Sequence, residues 1–99
     1  MTGQIEIINT ILKGWGYTEN IKKGMNGPPV RTNNDGNVIE IDFAKGYNLK
    51  GEIPSTFYQL TDLNYLDLSN NNLKGTIQKG IKDLTNLYNF GIFNNNFEG

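Results

Sequence analysis

The chain has 99 residues, room for one small domain, with 36% hydrophobic and 19% charged residues, both below the usual globular share. Ten acidic against nine basic side chains leave a net charge of -1, so the basic excess of a nucleic-acid binder is missing. Cysteine and histidine are absent, which removes disulfides, thiolate chemistry and the commonest metal ligand and general base.

The first residues, Met1-Thr2-Gly3-Gln4, show no basic stretch followed by an apolar core. No signal peptide is therefore expected within the chain, and an extracellular or cell-surface setting would require one already removed. No apolar run approaches the ~20 residues that span a bilayer, so no membrane insertion is expected. No Asn-x-Ser/Thr sequon occurs. Ile5, Ile8 and Leu12, with Ile7 and Ile11, follow helical spacing, which predicts an amphipathic helix over residues 4–13. Gly14 and Gly16 are expected to end it. Residues 32–37 (TNNDGN) read as a tight turn centred on Asp35-Gly36 that leads into a strand. Residues 1–37 do not repeat and form the first unit.

The remainder repeats. Glycine and asparagine are abundant, a composition that suits disorder, but the apolar residues are strictly spaced. Residues 60–75 (LTDLNYLDLSNNNLKG) align without a gap on residues 84–99 (LTNLYNFGIFNNNFEG) at an offset of 24. Leu63 matches Leu87, Leu66 and Leu68 match Phe90 and Ile92, Asn70 to Asn72 match Asn94 to Asn96, and Leu73 and Gly75 match Phe97 and Gly99. An earlier copy occupies residues 38–54 (VIEIDFAKGYNLKGEIP), where Leu49, Gly51 and Ile53 precede Leu73, Gly75 and Ile77 by 24. Ile41 and Phe43 correspond to Leu66 and Leu68 only if one residue is inserted within residues 44–48, a bulged loop in the first repeat. The repeats run over residues 38–59, 60–83 and 84–99, the last incomplete.

One such repeat cannot bury its apolar side chains alone, whereas stacked repeats share one core and a parallel sheet of one short strand each. After each strand the chain bends inward, and an amide side chain can satisfy the backbone groups exposed there by both donating and accepting. Asn71 and Asn95 are placed in that ladder. Residues 55–62 and 79–86 form the convex return, with a short helical turn starting near Ser55 and Thr56.

This pattern resembles the leucine-rich repeat, L-x-x-L-x-L-x-x-N-x-L. Gly51-Glu52-Ile53-Pro54 extends it in the manner of the plant-specific subtype. Gln78 departs from its proline, and Phe90 and Phe97 replace leucine. The resemblance implies an α/β solenoid of about three repeats. It also implies an N-terminal cap in which a helix and a tryptophan cover the first repeat; Trp15, Asp35, Gly36 and Val38 match, while the cap cysteines of that family are missing. The ordinary role for Trp15 is core filling. The family's function is protein recognition on a concave face.

By register the concave residues are Glu40, Asp42 and Ala44, then Tyr65, Asp67 and Ser69, then Asn89, Gly91 and Phe93. Tyr65 and Phe93 suit partner anchoring. Asp42 and Asp67 fall in one column with Glu40 nearby, and such like charges repel unless a basic partner segment or a cation neutralises them. Lys50, Lys74, Lys79 and Lys82 map elsewhere. No phosphate loop, nucleophile elbow or metal cluster occurs, so no cofactor and no catalysis by this chain are expected. The expected function is recognition of a protein or peptide. The other reading is an assembly element: a last coil without a polar cap exposes an apolar end near Leu84, Leu87, Ile92 and Phe97, to be covered by a longer protein or by self-association into a homo-oligomer.

Overall fold

Residues 3–26 and 29–98 are described by the computed structural model of the chain. Met1, Thr2, Gly27, Pro28 and Gly99 lie outside them, and the matching of Gly99 to Gly75 lies there too.

Helix α1 (Gln4–Trp15) turns Ile7, Ile8, Ile11, Leu12 and Trp15 inward. It runs two residues beyond the expected end: Gly14 stays helical, and Gly16, at φ 97°, closes the helix as its left-handed cap. Two side chains tie the cap unit together. The Asn9 amide donates to the Ile21 carbonyl and accepts from its N–H, and Gln4 Oε1 accepts from the Val38 N–H at 2.7 Å.

Strand β1 (Val30–Thr32) pairs antiparallel with β2 (Val38–Asp42) across the predicted turn. The larger sheet continues in parallel through β4 (Tyr65–Asp67) and β6 (Asn89–Gly91), giving the order β1-β2-β4-β6. A second, three-stranded parallel sheet joins β3 (Lys50–Glu52), β5 (Asn72–Thr76) and β7 (Asn96–Glu98). Each coil thus carries two strands, not the single one expected, because the backbone pairs again after each inward bend. Two 3-10 turns, Ser55–Gln59 and Lys79–Asp83, form the return. Neither has a side-chain cap bond at its start.

The core is a stack of columns. Ile41 pairs in register with Leu66, and Leu66 with Phe90. Phe43, Leu49, Phe57, Leu60, Leu63, Leu66, Leu68 and Leu73 are almost completely buried, whereas Phe90 at the last strand is 43% exposed. Burial fades along the axis because each coil covers the one before it. Trp15 closes the opposite end: its ring lies 6.1 Å from Phe57, and its indole N–H donates to the Glu52 carbonyl at 2.9 Å. Gly51, at φ 121°, leaves room for that ring; a Cβ there would stand 3.3 Å from Trp15.

Asparagine amides hold the inward bends. Buried Asn71 accepts from the N–H groups of Tyr47 and Leu49 and donates to the carbonyls of Phe43, Leu68 and Ser69. Asn95 accepts from the Leu73 N–H and reaches the Leu68, Ile92 and Phe93 carbonyls. Gly46, Asn70 and Asn94, one position earlier, take left-handed φ values of 84°, 63° and 57°, a conformation glycine and asparagine tolerate. With Gly46 aligned on Asn70, the extra residue of the first coil falls at the Ala44-Lys45 turn, closed by the bond from Gly46 N–H to the Phe43 carbonyl.

Replacing Asn71 by leucine strips partners from several buried backbone groups, so a loss of about 3 kcal/mol is expected. Urea denaturation should show Asn95→Leu costing clearly less, since Asn95 is only half-buried. Equal costs would contradict the central place given to Asn71.

Candidate functional site

The outer face of the four-stranded sheet collects most of the residues expected on it. One column runs Glu40, Tyr65, Asn89; the next runs Asp42, Asp67, Gly91. All six are half-buried. Phe93, just past β6, is 63% exposed.

Ser69 does not belong to this face. It is fully buried, and its hydroxyl oxygen has no partner among the described residues. The reason is local. Asp67 Oδ1 captures the Ser69 N–H at 3.0 Å and the Asn71 amide holds the Ser69 carbonyl, so the chain is drawn inward directly after the strand. Strand alternation therefore stops at Asp67. Asp42 acts in the same way on the first coil, accepting from the Ala44 N–H at 3.1 Å.

The electrostatics follow from these contacts. Glu40 is neutralised by Arg31, whose guanidinium lies 2.8 Å from its carboxylate. Arg31 reaches it because β1 pairs Arg31 directly with Glu40. Asp42 and Asp67 have no ion-pair partner among the described residues, and each uses only Oδ1 in its backbone bond. They sit opposite one another on adjacent strands, about 4.8 Å apart in backbone spacing. Tyr65 feels both: the Asp42 charge first, then partial loss of hydration, then Asp67 and Glu40 raise its hydroxyl pKa above the ordinary 10.0.

Two contributors were not expected from the sequence. Arg31 lay in a segment too short and polar to read as a strand. Tyr88, 72% exposed, packs edge-on against Tyr65 with ring centroids 6.2 Å apart. It occupies the position of Asn64, just before the strand, where the repeat pattern specifies no residue type. The signal available was an aromatic at an otherwise variable position.

The other residues expected to act lie apart from this face. Lys50 and Lys74 belong to the second sheet, and Lys79 and Lys82 to the second 3-10 turn. At the far end of the stack, Leu84 is only 4% exposed and belongs to the core, contrary to its expected place at an open end. It closes the second 3-10 turn in the column of Leu60, where the turn folds it back onto the preceding coil. Leu87 and Phe97 are half-buried and pack against the core, Ile92 is half-buried, and Phe90 is the exposed residue there. Among the described residues no helix is long and apolar enough to cross a membrane.

The sequence matches no protein-family model and no curated protein. Solved structures do resemble it. The leucine-rich-repeat ectodomain of the receptor kinase SOBIR1 from Arabidopsis thaliana superposes with a TM-score of 0.71 at 19% identity, over 98% of this chain and 56% of that one. This chain has a leucine-rich-repeat fold. The BIR2 ectodomain from the same plant gives a TM-score of 0.67 at 26% identity, over 95% of the leucine-rich-repeat chain and 53% of its own. The leucine-rich-repeat chain thus spans about half the length of each.

Removing the Asp42 charge lowers the Tyr65 pKa toward the ordinary value. Absorbance titration of Asp42→Asn, with Tyr65→Phe identifying the signal, should show Tyr65 ionising at lower pH than in the parent. The folded state binds this proton more tightly than the unfolded chain does. The associated stability is therefore complete below the ordinary tyrosine pKa and is lost as pH rises through the folded value. A Tyr65 transition unmoved by Asp42→Asn would contradict the assigned contact.

Proposed function

We propose that the chain recognises an extended segment of another protein along the outer face of its four-stranded sheet, and that this segment carries positive charge. The observation that carries the reading is the set of aromatic rings on that face: Tyr88 at 72% and Phe93 at 63% exposure, with Tyr65 packed beside Tyr88. Large apolar rings held in water are costly for a free protein and suit partner contact. The backbone beneath Tyr65 is fixed by parallel pairing on both sides of β4, and β6, flanked by Tyr88 and Phe93, is paired to β4, so binding orders little of the receptor. Asp42 and Asp67 supply uncompensated negative charge next to the rings, which favours a basic partner.

Likeness to the ectodomain of a receptor kinase supports the same reading and an extracellular setting. The rings and carboxylates lie on an open face, while grooves of about 310 Å³ beside Trp15 and about 500 Å³ beside Glu52 and Glu98 lie away from it.

A displayed peptide library panned on the folded chain should yield binders enriched in lysine and arginine. Tyr65→Ser with Phe93→Ser should weaken the retained peptides by about 2 kcal/mol or more, roughly 30-fold, without unfolding the chain. Charge reversal at Asp42 and Asp67 should weaken them further. Retained peptides indifferent to all four substitutions would sink the proposal.

A further inference from the structure

We infer that the face holds a seat for one arginine side chain of the partner, formed by Asp42 and Asp67 below, Tyr65 and Tyr88 at one end, and Gly91, over which the Asp67 carboxylate leans. The inference rests on the protein-recognition reading above and specifies what that face selects.

Gly91 is the first reason. Its φ lies outside the left-handed region, so its backbone does not require glycine. A Cβ at Gly91 would stand 2.9 Å from Asp67 Oδ1 and 3.1 Å from Oδ2. The missing side chain therefore lets the Asp67 carboxylate lean over the third strand. The column that is acidic at Asp42 and Asp67 ends there without a third side chain, and the Asp67 carboxylate takes up its place.

The carboxylates are the second reason. Each Oδ1 is held by a backbone N–H, Ala44 for Asp42 and Ser69 for Asp67. Each Oδ2 is left without a hydrogen-bond partner among the described residues. Two oriented acceptors on adjacent strands suit a planar group with donors along both edges, which is a guanidinium; an ammonium acts as a point donor and engages them less completely. Glu40 does not compete, because Arg31 already neutralises it.

The rings are the third reason. Tyr65 pairs in register with Glu40 and stands two residues before Asp67, which pairs with Asp42, and the charges of Asp42, Asp67 and Glu40 act on its hydroxyl. Tyr88 meets it edge-on at 69°. Aromatic faces beside carboxylates attract a flat cation by electrostatics and by stacking.

Titration of isotope-labelled protein with N-acetyl-arginine amide, followed by NMR, tests this directly. Shifts should concentrate at Gly91, Leu68 and Ser69 and in the Tyr65 and Tyr88 rings. N-acetyl-lysine amide should bind about tenfold more weakly, and the neutral citrulline analogue should leave these signals unmoved. Gly91→Ala puts a methyl group against the Asp67 carboxylate and displaces it, on a backbone that accepts alanine, and Asp67→Asn removes the charge while keeping the shape. Each should weaken the arginine probe about tenfold or more, whereas Asp83→Asn, on the second 3-10 turn, should not. Equal shifts from arginine and citrulline would overturn the seat, as would shifts centred at Glu52 and Glu98.

The two proposals can fail separately. Library peptides that bind this face without arginine and ignore Gly91→Ala would refute the seat and leave the recognition face standing. An arginine probe that titrates Gly91 while no peptide depends on Tyr65 or Phe93 would refute the recognition face alone.

Discussion

A polypeptide that turns inward after every strand must bring its own amides and carbonyls under cover, and they have to meet partners there. In this molecule the Asn71 side chain meets five of them, binding two N–H groups and three carbonyls. The bend determines the coil, and the coil stacks the leucine columns. The columns in turn support a rigid outer sheet. If the amide is lost, the apolar residues remain, but the geometry that sets Ile41 over Leu66 and Leu66 over Phe90 is no longer enforced.

The solenoid was legible because burial leaves a periodic trace. Every coil needs apolar residues at the same steps, so Leu66 and Phe90 announce a common environment before any coordinates are known. Features built from backbone pairing leave no such trace. Strand β3 exposes Lys50 and Glu52 on either side of Gly51, a pattern with no apolar alternation to read, and the second sheet went unforeseen. Strand β1 is three residues long, and Arg31 came with it. Ser69 departs from simple alternation for a different reason: the strand ends at Asp67, where Asp67 and Asn71 redirect the chain. The end of α1 depended on which glycine turned left-handed, and Gly14 and Gly16 look alike in sequence.

The outer face shows how a fold and a surface share residues. Asp42 and Asp67 finish their strands by accepting a backbone N–H two residues on, a common task for aspartate at such a turn. Their remaining oxygens are left without a hydrogen-bond partner among the described residues. Arg31 shields Glu40 alone, so the negative field concentrates toward the middle of the sheet rather than its β1 edge. Tyr88 sits beyond the strand and extends the apolar area without disturbing the pairing beneath it.

The asparagine bonds also have a direction. Asn71 serves Tyr47, Leu49 and Phe43 of the coil before it, and Asn95 serves Leu73 and Leu68 of the coil before it. In the first coil Tyr47 stands where the later coils carry this asparagine. A nascent chain leaving the ribosome therefore cannot seal its first bend until Asn71 has emerged, more than twenty residues later. Each bend is completed only by material that follows it, so vectorial synthesis always leaves the most recently formed turn open.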